Sequence, residues 1–278
     1  MPTSAPKGHI QLVSESGREL TSLRGINELE PSEKERIYAA IIPPRLFKLL
    51  GISAETFRGP DGLQRVSIIA PQGMGLARIE VKQHPEDRHT VFFLDITETH
   101  YRQMELSFCV ISDPTAPRFA VDVDANGINN CFTTLGRNIP EELRAMRAGL
   151  FPNQATSGLR MFGEFFSLFE GFVGSLAMDM IVAEPLTYDN ALRYEKYGFD
   201  YLNGRRLMEL IDREFGPAGR LTGRLDGSTP FRMPGMENSV LGRSWAIHDG
   251  ILDEPWEGVE IYKMIGADAG VNTFTERP

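Results

Sequence analysis

Oxygen-bearing side chains alternate along a short stretch of the chain, at Asp122, Asp124 and Asn126, and Gly127 follows them. This is the spacing of the first half of a calcium-binding loop, in which alternate side chains supply oxygen ligands and a glycine permits the turn. The bidentate glutamate expected at the twelfth position is absent, since Thr133 stands there. The same residues also fit a strand that ends in an Asn-Gly turn, and we favour that interpretation.

Histidine, cysteine and carboxylate side chains show no strong metal or nucleophile motif elsewhere in the sequence. Glu98 and His100 share one face of a predicted strand end, so a metal-dependent enzyme using His100, Asp122 or Asp124 stays open as a hypothesis. We expect no metal, because the histidines lack the pair spacing of a helical site. Neither cysteine has a histidine placed in the sequence to activate it as a nucleophile. The histidines and cysteines considered are His9, His84, His89, His100, His248, Cys109 and Cys131.

Two glutamates, Glu164 and Glu170, lie within a strongly apolar segment that is rich in phenylalanine. A carboxylate held in apolar surroundings has a raised pKa and can act as a base. The two positions project from different faces of a helix, so one of them reaches solvent. The phenylalanines are most simply core residues.

The most informative stretch runs from Gln154 to Phe199. It begins with Gln-Ala-Thr-Ser-Gly-Leu at residues 154–159 and ends with Tyr-Glu-Lys-Tyr-Gly-Phe at residues 194–199. Between them the pattern predicts an apolar helix, a buried strand and a short helix. This order resembles the GNAT family of acetyl-coenzyme A-dependent N-acyltransferases. That family often has a Tyr-Glu-Lys-x-Gly-Phe ending after its fifth strand and a Gln/Arg-x-x-Gly-x-Gly/Ala loop before the preceding helix.

The resemblance implies a coenzyme site at the start of the apolar helix, where backbone N–H groups would bind the pyrophosphate. The contacts it implies are Gln154, Ser157, Gly158 and Leu159, with Arg205 near the coenzyme's phosphates. The glycine is displaced by one position, and Leu159 replaces the small residue that usually ends the loop.

The resemblance also implies catalytic roles. Tyr194 would protonate the departing thiolate, and a carboxylate on the preceding strands would take the proton of the amine. Asp95, Glu98 and Glu105 are the candidates for that base, with Glu98 as the working assignment. A structural interpretation of the same hexamer stays open, in which Gly198 ends a helix and Tyr194 and Phe199 are core aromatics.

The secondary-structure elements that must position these residues are predicted from hydrophobic periodicity and from the glycines and prolines that end helices and strands. The pattern predicts helices over 31–41, 45–50, 140–148, 158–173, 190–197 and 201–215, and a long irregular segment over 216–250. Short runs rich in Val, Ile and Phe, separated by turn residues, predict an antiparallel meander of about five strands. These runs are 64–70, 76–83, 90–96, 104–111 and 119–123, with further strands at 178–183 and 258–264.

This order predicts an α+β fold with an antiparallel or mixed central sheet and flanking helices, GNAT-like in the sense of the resemblance. We divide the chain into an N-terminal helical extension, residues 1–55, and a GNAT-like domain, residues 56–278. The second part would contain an insertion near 125–152 and a long C-terminal loop.

Composition limits the partners. The chain has 278 residues and a formal net charge of −9, with 41% hydrophobic and 24% charged residues, which is typical of a globular protein. The acidic balance argues against nucleic acid and against an anionic membrane surface. Two cysteines and no signal peptide favour a cytoplasmic protein. A homo-oligomer stays open.

The sequence therefore leads to one hypothesis and two alternatives. The first is an acyltransferase that moves an acetyl or other acyl group from coenzyme A, its cosubstrate, to a small-molecule amine. The alternatives are a non-catalytic α+β ligand-binding protein and a metal-dependent enzyme built on residues 95–124. Whether the chain is an enzyme is left open at this point.

Overall fold

The computed structural model describes residues 10–133 and 135–274. Its strands are β1 (Val66–Ile69), β2 (Leu76–Val81), β3 (Phe92–Glu98), β4 (Gln103–Ile111), β5 (Met180–Ala183), β6 (Asp200–Asn203) and β7 (Glu260–Met264). Within the described residues these form one seven-stranded mixed sheet in the order β1-β2-β3-β4-β5-β7-β6. The protein is therefore α+β with a mixed central sheet, as the sequence predicts.

The helices precede, interrupt and follow the strands. They are α1 (Leu23–Asn27), α2 (Pro31–Ala39), α3 (Pro44–Leu50), α4 (Ile139–Arg147), α5 (Phe162–Ser175), α6 (Tyr188–Glu195), α7 (Arg205–Glu214), α8 (Arg220–Gly223) and α9 (Val240–His248), with a 3-10 turn at Met236–Asn238. None of the helices in the described ranges is long and apolar enough to cross a membrane.

The chain forms two compact units. The first comprises the residues up to Pro114 together with Gly158–Ala183 and Tyr262–Asp268. The second comprises Thr115–Ser157, Glu184–Ile261 and the residues from Ala269 onward. This division differs from the expected one, because the helices before residue 55 belong to the same unit as the meander. The expected insertion near 125–152 lies within the segment 115–157.

The first unit is built on the antiparallel ladder of β1 to β4. Alternate residues of β2 and β3 are buried, so each strand turns one face toward the core, as the alternation in the sequence predicts. Phe92 of β3 meets Phe165 of α5 at 5.7 Å between ring centroids, and Tyr38 of α2 lies 6.2 Å from Phe172. Helices α2 and α5 thus contribute to one aromatic core.

Two helix ends in this unit follow directly from breakers in the sequence. Helix α2 begins at Pro31, where a fixed φ and a missing N–H fit the first turn. Helix α3 ends before Gly51, which has a φ of +63° in the left-handed region that a side chain disfavours. Both ends were predicted, and both are confirmed.

The second unit packs its helices around Trp245. The Trp245 side chain is fully buried, its indole N–H donates to the Leu150 carbonyl at 2.9 Å, and Phe231 stacks on it at 5.2 Å. Phe119 and Ala145 complete this cluster. The indole thus ties α9 to the segment that follows α4.

Several predicted elements differ from the observed ones, in part or altogether. The strand expected at 119–123 does not form, because the N–H of Phe119 donates to the Ala155 carbonyl and the N–H of Ala120 to the Glu141 carboxylate. The helix expected over 201–215 begins only at Arg205, after β6 and the left-handed Gly204.

The irregular segment expected over 216–250 contains α8 and α9. Helix α9 begins after Ser239, whose hydroxyl accepts the N–H of Gly242 at 3.0 Å, and this cap offsets a sequence poor in helix formers.

Candidate functional site

Strands β4 and β5 form a parallel pair inside the first unit, and their ladder is only three residue pairs long. The ladder joins Gln103 to Met180, Met104 to Ile181 and Glu105 to Val182, after which β5 ends at Ala183 while β4 continues to Ile111. Ligands of open sheets bind outside the carboxyl ends of adjacent parallel strands. The point where β5 ends beside β4 is therefore the candidate site of this unit.

A β-bulge lies at the same point of β4. Asp95 pairs with Phe108, but the next residue, Ile96, pairs with Leu106, so Ser107 is the extra residue. A bulge bends the strand and changes the direction of nearby side chains, and such irregularities are frequent beside active sites. The exposed Ser107 hydroxyl is 2.9 Å from the Glu105 carboxylate.

The connection from β4 back to the sheet brings the start of α5 to the carboxyl end of β4. Ser112 and Gly158 form an isolated antiparallel bridge, and a Cβ atom on Gly158 would lie 3.0 Å from the Ile111 carbonyl oxygen. Helix α5 begins only at Phe162, without a side-chain cap. The residues just before α5 thus lie beside the carboxyl end of β4.

This geometry corrects the prediction that the helix starts at Gly158. The glycine has an extended bridge partner, and Arg160 has a φ of +55°, which is incompatible with a helix through that position. Gly158 is therefore four positions ahead of Phe162 rather than in the first turn. Glu164 occupies the first turn instead, and its carboxylate lies 3.7 Å from the Arg45 guanidinium.

The three carboxylates predicted as candidates for the base have different partners. Asp95 forms a bidentate pair with Arg78, at 2.8 Å for both hydrogen bonds. Glu98 accepts the N–H of Leu23 at 2.6 Å in the first turn of α1, which gives it a structural role. Glu105 lies at the last rung of the β4–β5 ladder beside Ser107. Of the three, Glu105 is the carboxylate at the candidate site.

The residues predicted to contact the coenzyme are divided between the units. Gly158 and Leu159 belong to the first unit and Gln154 and Ser157 to the second. Gln154 closes a local turn, since its side-chain oxygen accepts the N–H of Phe151 at 3.1 Å. Ser157 and Leu159 are half-buried.

Two further predicted residues lie in the second unit. Tyr194 is in the last turn of α6, half-buried, with its ring 4.9 Å from that of Phe199. Gly198 has a φ of +81°, so the hexamer ends the helix in the way that the structural interpretation predicts. Arg205 pairs with Asp200 at 3.2 Å and with Glu209 at 3.1 Å.

The calcium-like stretch is a tight turn. The Asp124 carboxylate accepts the N–H groups of Asn126 and Ile128, and Val123 is bridged to Asn129. Those backbone hydrogen bonds, that of Ile128 first, lower the pKa of Asp124. The turn in the favoured interpretation is thus confirmed, although the strand expected before it does not form. Among the residues whose placement is described, no group of three His, Cys, Asp or Glu side chains is arranged to hold a metal ion.

The second unit contains a buried network of charged side chains that no sequence pattern predicted. Arg137 donates to Glu142, at 3.0 Å from Nε, and to Asp249 at 2.9 Å, while His248 lies 3.4 Å from Glu142. Burial by itself would raise the pKa of Glu142, but hydrogen bonds from His248 and Arg137 lower it overall. Arg232 completes the network at 2.9 Å from Asp249. The only signal in the sequence was Glu142 in the first turn of a predicted helix.

Comparison with known proteins identified no relative of this chain. The chain matches no protein-family model, no curated protein and no solved structure at a significant level.

Proposed function

We propose that this protein has a GNAT-like fold and transfers an acyl group from coenzyme A to a small-molecule amine. The observation that carries the proposal is the parallel β4–β5 pair, whose ladder ends beside a bulge in β4 and whose second strand follows α5. The order of meander, long helix, strand and short helix agrees with the order that the resemblance implies. The thioester would lie along β4 beyond Glu105, with the start of α5 toward its phosphates.

The chemistry needs one proton acceptor and one proton donor. The neutral amine nitrogen attacks the thioester carbonyl carbon, the C–S bond breaks, a base takes the amine's proton, and the thiolate takes up a proton. Glu105 is our choice for the base because of its position at the end of the ladder. The resemblance alone implies Tyr194 as the acid and Gln154, Ser157 and Arg205 as coenzyme contacts, and these assignments stay predictions.

The compartment we propose is the cytoplasm. Neither half-buried Cys109 nor exposed Cys131 forms a disulfide within the described residues. Cysteines that are not disulfide-bonded fit a reducing compartment.

Binding is tested by thermal unfolding with and without acetyl-coenzyme A. At about 100 times the dissociation constant the ligand stabilises by about 2.7 kcal/mol, which raises the Tm by several degrees in a chain of this size. A tryptophan at the exposed bulge, Ser107→Trp, should abolish the rise by filling the site. Ser67→Trp, at an exposed position of β1, is the matched control and should keep it. No rise in the unaltered protein contradicts the proposal.

Catalysis is tested by thiol release from acetyl-coenzyme A in the presence of a panel of primary amines. Glu105→Gln should keep the thermal shift and lower the rate roughly 100- to 10,000-fold, as removal of a general base does. Tyr194→Phe tests the acid in the same assay. Binding without thiol release for any amine would contradict the transferase and favour the non-catalytic ligand-binding alternative.

A further inference from the structure

A cavity of about 290 Å³ lies in the second unit among α7, α8 and the segment 252–257. Its walls are apolar and come from all three segments. They are formed by Leu207, Leu210, Ile211, Leu221, Leu252 and Pro255. Leu207 and Leu210 of α7 are half-buried and line this cavity. The size is close to the lower end of the roughly 300–1,000 Å³ range of ligand pockets.

The polar residues of this cavity are mainly acidic. Glu214, Asp253, Glu254 and Glu257 line it together with a single basic residue, Arg220. The Arg220 guanidinium is paired with Asp253 at 2.6 Å, and Arg224 contacts the same carboxylate at 2.6 Å. The positive charge at the cavity is therefore already engaged by Asp253.

Glu254 and Glu257 differ from Asp253 in this respect. Both are exposed, and within residues 10–133 and 135–274 no ion pair or side-chain hydrogen bond involves either of them. Two exposed carboxylates that line a largely apolar cavity and have no counterion among the described residues give a negative potential there. A ligand with a cationic head and an apolar body would complement both features, whereas a carboxylate of the same size would be repelled.

We propose that this cavity is a binding site for a small organic cation, an ammonium group carried on a short apolar chain. The chain lies against Leu207, Leu210 and Leu252, and the ammonium group is directed to Glu254 and Glu257. The site belongs to the second unit alone and does not rest on the acyl transfer proposed above. It can be measured with no coenzyme present.

The experiment is calorimetric titration of the full chain with butyl-, hexyl- and octylammonium at pH 7, compared with hexanoate and hexanol. Each added methylene that enters the cavity should tighten the Kd about fourfold, until the chain outgrows it. Hexanoate should bind at least tenfold more weakly than hexylammonium. Equal binding of the three six-carbon ligands, or no binding of any, overturns the proposal.

Two variants identify the location. The double variant E254Q/E257Q should weaken hexylammonium about tenfold and leave hexanol unchanged, because it removes charge and keeps shape. Glu209→Gln, on the exposed face of α7, is the matched control and should bind as the unaltered protein does. If the double variant binds hexylammonium as tightly as the control does, the cation is bound elsewhere and the proposal is wrong.

Discussion

At the scale of single residues, Asp189 is a carboxyl group that folding removes from water. Its side chain is buried in the first turn of α6, and Oδ1 has no hydrogen-bond partner among the described residues. Burial raises the pKa of Asp189 to about 6, although the Thr187 hydroxyl and the charges of Arg193 and His248 act in the opposite direction. The folded state therefore prefers the protonated carboxyl.

The pH dependence follows from that preference. Between about pH 4 and pH 6 the unfolded chain loses the proton of Asp189 while the folded chain keeps it, so this group lowers the free energy of unfolding as the pH rises. Asp189→Asn removes the effect. We expect its stability relative to the unaltered protein to increase from pH 4 to pH 7, by about 3 kcal/mol at most.

Denaturant unfolding at several pH values measures this difference. Asp179→Asn, at an exposed position, serves as the control. A difference for Asp189→Asn that stays constant from pH 4 to pH 7 would mean that Asp189 ionises normally in the folded protein.

At the scale of elements, two helical glycines with opposite surroundings make a matched pair. A Cβ atom on Gly242 in α9 would lie 2.3 Å from the Met236 carbonyl oxygen and 2.7 Å from the Met236 Cα, so the backbone there has no room for a side chain. Gly171 in α5 has nothing within 4 Å of the same position. The glycine is thus required at one site and merely tolerated at the other.

Alanine should separate the two cases. Gly171→Ala should stabilise the protein by roughly 0.5–1 kcal/mol, the ordinary gain in helix propensity. Gly242→Ala should destabilise by roughly 1–3 kcal/mol, because overpacking exceeds that gain. Changes of the same sign in urea unfolding of the two variants would show that the close approach of α9 to residue 236 is not maintained in solution.

These elements also show what sequence patterns can predict. The alternation of Ala77, Ile79 and Val81 predicts β2, because the period of a strand is set locally by its own residues. The sequence pattern does not predict helix α9. Positions that a core helix usually fills with apolar residues are occupied here by Gly242, Arg243 and Ser244. Arg243 is fully buried there, held by Asp212 at 2.8 Å, which is a contact that local periodicity does not encode.

At the scale of the whole molecule, the candidate site depends on pairings between distant parts of the chain. Local patterns predicted the order of α5, β5 and α6, but the choice among Asp95, Glu98 and Glu105 needed the β4–β5 register. The same holds for the bulge at Ser107, which no sequence pattern marked. Local patterns thus predicted most elements of the meander, while the arrangement of side chains at its edge depends on non-local pairing.

The end of the described chain illustrates the same dependence and allows a last prediction. Thr273 donates its hydroxyl to the Glu195 carboxylate at 2.5 Å and its N–H at 2.9 Å, and Tyr201 donates to the same carboxylate. Glu195 is buried, so each lost donor leaves a carboxylate less well solvated. Thr273→Val, which keeps the shape of the side chain, should therefore lower the free energy of unfolding by about 2 kcal/mol.

Urea unfolding followed by circular dichroism measures that loss. Thr21→Val, at an exposed position of the first unit, is the control and should stay within about 0.5 kcal/mol of the unaltered protein. Because hydrogen bonds to a buried carboxylate matter only if the segment around Thr273 stays bound to α6, an effect as small as the control's would show that this segment leaves α6 in solution. A loss near 2 kcal/mol would establish that the last described residues are part of the folded second unit.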